Sequence, residues 1–189
     1  MKEVEILVQV FEDKKKVLDK LKKFHFEGKT RVLDTYFYDP KRVNLKPKES
    51  GRLTECFRLR KKADKIFLAY KLDNFDRDGD WIYSDEHETE VADAKAIIKI
   101  IDRLGFKTLV EINNEKSIFI DGDYEIVLED VKGLGLFLEV ERLHVKNNEN
   151  VPKIKKNLWK FIQSLGFDVS KELNVGKPEL MLVKNLYRR

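Results

Sequence analysis

The sequence predicts an α+β domain whose strands are mostly antiparallel. Its 189 residues are about the length of one domain. Most segments with a strand-like pattern are joined by short connections, which favour antiparallel pairing because parallel neighbours need a long crossover. About nine such segments are present, and a sheet of that size curls into a barrel or splits into two packed sheets.

The elements follow from changes in hydrophobic period along the chain. Residues 2–11 alternate between apolar and polar positions, which is the pattern of a strand with one buried face. Apolar residues recur at helical spacing in three segments, so helices are predicted at 13–26, 93–104 and 152–165. Strands are predicted at 2–11, 31–39, 53–62, 65–73, 81–91, 107–113, 116–121, 124–130 and 136–145.

Composition and charge narrow the function classes. Lysine and arginine together number 38 against 34 acidic residues, so the net charge of +4 does not indicate a nucleic-acid partner. No apolar run approaches the ~20 residues of a membrane-spanning helix, so no membrane partner is expected. The N-terminus alternates instead of forming the apolar region of a secretion signal. The single cysteine, Cys56, has no partner for an internal disulfide, which favours a reducing cytoplasm.

Charged residues recur two positions apart in the predicted strands, so both members of each pair lie on one face. Beside the arginine pair, Phe57 and Leu59 make the alternate face apolar. An antiparallel sheet with one solvated face shows the same alternation, and this interpretation stays open. Three Glu-x-Glu pairs are nonetheless unusual, because glutamate is a poor strand former. The pairs are Glu3/Glu5, Glu88/Glu90, Glu139/Glu141 and Arg58/Arg60, with Lys71 on the strand paired to the arginines.

If the strands instead close into a barrel with this charged face inward, the same residues would line a binding site and not a solvated surface. Clustered carboxylates raise one another's pKa unless a cation neutralises them, and here six glutamates would face three bases. Oxygen-only ligands suit Mg²⁺ or Mn²⁺ better than zinc. Arginine offers forked donors to phosphate. Metal and arginine around a buried site are typical of phosphoryl transfer.

Several short motifs, in their order along the chain, resemble the CYTH superfamily. This superfamily comprises the triphosphate tunnel metalloenzymes, including class IV adenylyl cyclases and thiamine triphosphatases. The resemblance implies a closed, eight-stranded antiparallel β-barrel that forms a tunnel, with helices packed outside. It also implies a triphosphate or nucleotide substrate and dependence on Mg²⁺ or Mn²⁺. The motifs are "EVE" at 3–5, "RLR" at 58–60, "YK" at 70–71, "ETEV" at 88–91, "LEDVKGLGLFLEVE" at 128–141 and "KPELM" at 177–181.

The same resemblance implies roles for individual residues. Glu129 stands where the family usually has aspartate, and its carboxylate could still ligate a metal. Glu5, Lys71 and Glu141 would carry catalysis. The implied metal ligands are Glu3, Glu5, Glu88, Glu90, Glu129, Glu139 and Glu141. The implied triphosphate-binding bases are Arg58, Arg60, Lys71 and Lys116.

Four positions depart from the family's pattern. Leu7 replaces the lysine of a Glu-x-Glu-x-Lys motif, and Asn114 stands in one of two positions that are usually basic. Asp85 or Glu86 stands where a base usually precedes "ETEV". Lys177 replaces a tyrosine of the closing segment. These departures predict about four lumen bases against six glutamates, and hence strong dependence on metal and weak affinity for triphosphate.

Three functions remain open for a single CYTH-like domain over residues 1–189, as a monomer or homodimer. The leading hypothesis is metal-dependent hydrolysis of inorganic triphosphate or a nucleoside triphosphate. The first alternative is a class IV adenylyl cyclase that makes cyclic AMP from ATP, because the motifs do not separate the two activities. The second alternative is a barrel that binds nucleotide or polyphosphate without turnover, since several bases of the family's pattern are missing.

Overall fold

Nine strands form one antiparallel sheet in the computed structural model of the chain, which describes residues 2–42, 45–48, 51–146 and 148–186. The strands are β1 (Lys2–Glu3), β2 (Glu5–Val10), β3 (His25–Tyr38), β4 (Glu55–Lys62), β5 (Lys65–Phe75), β6 (Trp81–Glu90), β7 (Lys107–Asp121), β8 (Tyr124–Val131) and β9 (Gly135–Arg142). Their order in the sheet is β1-β6-β5-β4-β3-β7-β8-β9-β2.

The two edges of this sheet belong to one N-terminal segment. Strand β1 pairs with β6 and strand β2 pairs with β9, and only Val4 separates β1 from β2. The Val4 carbonyl accepts a hydrogen bond of 3.0 Å from the Arg142 N–H, so the segment crosses from one edge to the other without leaving the sheet. Counted as one strand, this segment and the other seven form the predicted eight-stranded antiparallel barrel, closed through its N-terminus.

Helices pack on the outside of the barrel, as predicted. Within the described residues they are α1 (Lys14–Leu21), α2 (Ala94–Arg103), α3 (Val151–Ser164) and α4 (Lys177–Leu186). Each of the first three begins at an Asp or Asn cap whose side chain accepts backbone N–H groups: Asp13, Asp93 and Asn150. None of the described helices is long and apolar enough to cross a membrane.

The main apolar core lies between the outer face of the barrel and the helices. Ile6 and Val8 of β2 and Val140 of β9 pack there with Leu158 and Ile162 of α3, and all five side chains are buried. Because side chains alternate along a strand, the residues between these apolar ones point into the barrel. The core therefore fixes which side chains reach the interior.

Several element boundaries differ from those predicted. Residues 107–113 and 116–121 form one continuous strand, β7, and β3 begins at His25, where a helix was predicted to continue to 26. The Asn113–Asn114 dipeptide resembles a turn, but Asn114 is buried and its side-chain amide donates to Glu129 of the neighbouring strand β8, so the strand runs through. A fourth helix, α4, was not predicted; Pro178 in its first turn is typical of a helix start.

Candidate functional site

The interior of the barrel is a charged cavity of about 260 Å³. Among the described lining residues eleven are acidic and six are basic, a formal excess of five negative charges. Buried like charges require a bound cation or protonation. The acidic residues are Glu3, Glu5, Asp34, Asp73, Glu86, Glu88, Glu125, Glu129, Glu139, Glu141 and Glu179. The basic residues are Arg58, Arg60, Lys62, Lys71, Lys116 and Lys177.

Three carboxylates lie in one row across β2, β9 and β8. Glu5 is the register partner of Glu141, which is in turn the register partner of Glu125. Burial, and then repulsion from Glu139, raises the pKa of Glu5 to about 7. Burial, and then repulsion from Glu5, raises the pKa of Glu141 to about 9. Within the described part of the chain Glu141 has no hydrogen bond or salt bridge, so this carboxyl has no cation partner.

Lys71 of β5 lies beside this row. Its Nζ is 2.8 Å from Glu3 Oε2, 3.3 Å from Glu5 Oε1 and 3.9 Å from Glu86 Oε2. Burial alone would lower the pKa of Lys71, but attraction to these three carboxylates outweighs it and holds the pKa well above its ordinary value. Lys71 therefore remains a cation inside the barrel.

The arginine pair of β4 lines the opposite wall. Arg58 Nη2 donates to Glu86 Oε1 at 2.8 Å, and Arg58 Nη1 is 3.4 Å from the Tyr36 hydroxyl. Arg60 makes a forked pair with Asp34, at 2.8 and 2.9 Å. The Arg58 Nε is buried and has no hydrogen-bond partner among the described residues. Buried donors are normally satisfied, so this one is suited to an acceptor such as a phosphate oxygen.

A second carboxylate group, Glu129 and Glu139, is already paired with cations. Lys177 Nζ lies 2.6 Å from Glu129 Oε1 and 2.6 Å from Glu139 Oε2. Lys116 Nζ is 3.2 Å from Glu129 Oε1, and the Asn114 amide donates to Glu129 Oε2 at 2.5 Å. Burial alone would raise the pKa of Glu139, but Lys177 and Lys116 outweigh it and hold the pKa well below its usual range.

The structure brings most of the predicted site residues together. Glu90 is the exception: it lies at the end of β6, pairs with Lys65 at 2.9 Å and does not line the cavity. Glu86, named in the sequence only as the replacement of a base, points inward two residues before Glu88. The predicted residues that line the cavity are Glu3, Glu5, Arg58, Arg60, Lys71, Glu88, Lys116, Glu129, Glu139 and Glu141.

Two cavity bases were missed from the sequence. Lys62 continues the alternation of Arg58 and Arg60, so its spacing could have revealed it. Lys177 was counted as a departure from the family's tyrosine, and the expected total was about four bases. Lys177 reaches the cavity from the first turn of α4, and because that helix was not predicted, no periodic signal identified it.

Helix α4 closes one end of the barrel, and this explains Leu7. Leu7 is 3% exposed and belongs to an inward-facing apolar cluster with Phe137 and Val131. Leu180 and Met181 of α4 pack against this cluster. The residue at position 7 thus contacts apolar side chains of a helix, which a lysine ammonium could not do without loss of its hydration.

The cavity carboxylates fit a hard divalent ion. Among the described residues no three potential ligands converge into a ready-made metal cluster. Mg²⁺ usually keeps several waters and binds through one or two carboxylates together with substrate phosphates, so such a cluster is not required. The raised pKa values of Glu5 and Glu141 mark the place where a cation is most needed. Oxygen is the donor that Mg²⁺ and Mn²⁺ prefer.

Comparison with known proteins gives a consistent family. The family model of the CYTH domain matches residues 1–173. A Methanocaldococcus jannaschii protein, MJ0240, provisionally named an adenylate cyclase, is 32% identical over 96% of this chain and 98% of its own length.

Solved structures share the fold. The PH1819 protein of Pyrococcus horikoshii superposes with a TM-score of 0.79 at 27% identity, over 95% of this chain and 99% of its own. The Hippeastrum protein HpAC1, provisionally named an adenylyl cyclase and described with a dominant triphosphatase activity, has a TM-score of 0.63 at 15% identity, over 97% of this chain and 96% of its own. The resemblance seen in the sequence motifs is thereby confirmed, and the chain belongs to the CYTH domain family.

Proposed function

We propose that this chain is a divalent-metal-dependent hydrolase of triphosphates, acting on inorganic triphosphate or a nucleoside triphosphate. The main support for the proposal is that a single cavity, closed at one end, has an acidic wall and a basic wall. The carboxylate row of Glu5 and Glu141, with only Lys71 beside it, faces the arginine pair Arg58 and Arg60 on the opposite wall. Such a cavity suits a ligand that is itself a strong anion and that enters with a cation.

The bases would bind the phosphate chain. Arg58 and Arg60 offer fixed planar donors, and the unpartnered Arg58 Nε can donate to a phosphoryl oxygen without breaking an existing bond. Lys71 and Lys116 would add positive charge where negative charge develops in the transition state. All four lie in one cavity, so they can act on one triphosphate.

Glu3, Glu5 and Glu141 would hold Mg²⁺ or Mn²⁺, with Glu88 near the same cavity wall. A bound ion of this kind polarises phosphoryl oxygens and lowers the pKa of a ligated water. Glu5 and Glu141 would also keep the ion away from the bases that bind the phosphates. Glu90 is not proposed as a ligand, because its carboxylate is paired with Lys65 outside the cavity.

The experiment is a phosphate-release assay with inorganic triphosphate and ATP, in Mg²⁺ or Mn²⁺. Glu5→Gln and Glu141→Gln should each reduce release by more than about 100-fold, the scale on which one preorganised electrostatic group acts. Glu90→Gln is the matched control, since it makes the same change on the same barrel outside the cavity, and it should keep full activity. Unchanged turnover in both cavity variants would refute the mechanism.

Adenylyl cyclase activity is the second candidate, favoured by the name of the Methanocaldococcus jannaschii relative. The same cavity could align a ribose hydroxyl of ATP with the α-phosphate. Product analysis with ATP separates the two reactions: hydrolysis of the terminal anhydride gives ADP and phosphate, whereas cyclisation gives cyclic AMP and pyrophosphate. Binding of triphosphate by calorimetry without either set of products would instead favour a non-catalytic barrel.

A further inference from the structure

Lys177 reaches the cavity differently from every other cavity base. Among the described lining residues the five other bases project from strands of the barrel wall, whereas Lys177 is the first residue of α4, at the closed end. Its Nζ lies midway between Glu129 Oε1 and Glu139 Oε2, at 2.6 Å from each. The side chains of Lys177, Glu129 and Glu139 are 14%, 0% and 16% exposed, so water solvates none of the three well.

Both oxygens of Glu129 already have partners in this arrangement. Its Oε1 is shared by the ammonium groups of Lys177 and Lys116, and its Oε2 accepts from the Asn114 amide. A divalent ion at this position would have to displace a buried ammonium that is held by the docking of α4. Removing one partner of a buried ion pair is strongly unfavourable, because it leaves the other charge without compensation.

The two acidic groups of the cavity therefore differ in how far the chain's own lysines neutralise them. Glu129 and Glu139 are neutralised by lysines that belong to the chain itself. Lys177 and Lys116 thus supply two ammonium groups for these two carboxylates. In the second group Lys71 is shared by Glu3 and Glu5, at 2.8 and 3.3 Å, and Glu141 has no lysine partner among the described residues, so three carboxylates have one lysine. Only this second group still needs a cation from solution.

We propose that Lys177 is the resident counter-ion of Glu129 and Glu139, and that the barrel consequently takes up a single divalent ion, at Glu3, Glu5 and Glu141. The inference rests on the proposed function only in assuming that a divalent ion enters the cavity. An ammonium group carries three donors, and Lys177 uses two of them on carboxylates. The third is available to a phosphate oxygen, so ammonium groups bind the triphosphate at the closed end of the cavity.

The test counts bound Mn²⁺ per chain by electron paramagnetic resonance, without substrate or turnover. The wild-type chain should bind one ion and Lys177→Met should bind two, because Glu139 then has no ammonium partner and Glu129 retains only Lys116 of its two, which leaves the pair one positive charge short. The matched control is Lys14→Met. Lys14 also bridges two carboxylates, Glu115 and Asp130, at 2.7 and 2.8 Å, but on the outer face of the barrel, and its loss should leave the count at one.

Two ions in the wild-type chain, or one ion in a folded Lys177→Met, would overturn the inference. Should Lys177→Met fail to fold, Glu129→Gln decides: unchanged Mn²⁺ affinity supports the inference and a loss of affinity overturns it. Failure of the proposed function has a different signature. A wild-type chain that binds no Mn²⁺ refutes both proposals, whereas triphosphate turnover with two bound ions refutes only the role of Lys177.

Discussion

Glu5 and Glu141 are register partners on β2 and β9, and within the described residues only Glu5 has a cation partner, Lys71 at 3.3 Å. Like charges directly opposite each other in a sheet destabilise it. The barrel responds by holding protons: the pKa of Glu5 is raised to about 7 and that of Glu141 to about 9, mainly by burial. Two residues that weaken the metal-free barrel are thus the ones best suited to bind a cation.

We predict that the metal-free protein loses stability as the pH rises. A carboxyl whose pKa is raised on folding stabilises the folded state below its ordinary value of 4.5, and this contribution is lost as the pH passes through the folded-state pKa. The melting temperature measured in a chelator should therefore fall between pH 5.5 and pH 9.5, with Glu5 contributing up to about 7 and Glu141 up to about 9.

Glu141→Gln cannot ionise at this position, so this variant should lose most of the fall above about pH 7 and show a shallower fall below it, where Glu5 still contributes. Glu90→Gln is the control, because its carboxylate pairs with Lys65 at the end of β6, and it should follow the wild-type curve. Parallel curves for wild type and Glu141→Gln would show that Glu141 is not the group that titrates.

Two charged residues in the first turn of α4 connect this helix to the barrel. Lys177 enters the cavity, while the carboxylate of Glu179 accepts the backbone N–H of Leu53 at 2.7 Å and that of Gly176. Glu179 is 6% exposed, so it joins the start of α4 to the segment before β4 in a place that water scarcely reaches. The position of the Lys177 ammonium therefore depends on how firmly α4 is docked.

We predict that Glu179→Ala loosens α4. The change leaves the buried N–H of Leu53 and the half-buried N–H of Gly176 without this acceptor, and an unsatisfied buried group costs about 1–3 kcal/mol. Hydrogen exchange of the α4 amides should accelerate while that of the β7–β8 pair stays slow. Glu179→Gln retains an acceptor oxygen and should show a much smaller effect. Wild-type protection of α4 in the alanine variant would mean that the apolar cluster under the helix holds it without Glu179.

A helix or strand could be predicted where its hydrophobic period is visible within the element itself, and not where it depends on contacts with other elements. Helix α3 and the β4–β5 hairpin carry clear hydrophobic periods, and their observed bounds lie within about two residues of those predicted. The uninterrupted course of β7 was not predictable, because Asn114 is typical of a turn and its partner Glu129, on β8, is known only from the structure. Helix α4 was recognised as a motif but not as a helix, and its lysine was therefore misjudged.

The residues of the candidate site could likewise be predicted only where the signal lies within one strand. The period of two puts Glu86, Glu88 and Glu90 on one face of β6, and the sequence motif selected the last two. The height of the barrel decides which of the three lie inside, and it is a property of the closed sheet that no single strand encodes. In the structure the inward pair is Glu86 and Glu88, while Glu90 lies beyond the cavity.

Negative charge is concentrated in the cavity, and positive charge predominates in the rest of the molecule. The chain carries a net formal charge of +4, yet the described residues that line the cavity carry an excess of five negative charges. The rest of the chain therefore has a formal excess of nine positive charges. Under the proposed function, the interior would attract divalent cations through local contacts, while the positive charge elsewhere would attract polyphosphate anions at longer range.

We predict that Mg²⁺ stabilises the whole barrel far more than an equal ionic strength of KCl. Bulk salt screens exposed charges but acts weakly on a buried row such as Glu5 and Glu141. A ligand that binds only the folded state stabilises it by about 2.7 kcal/mol at 100 times its dissociation constant. For a chain of this length, that corresponds to roughly 5–10 °C in melting temperature.

Thermal unfolding at pH 8 should show this shift in the wild-type chain and in Glu90→Gln, and the double variant Glu5→Gln/Glu141→Gln should lose it. Equal shifts in MgCl₂ and KCl would show that the interior binds no specific ion, since general screening would then account for the whole effect.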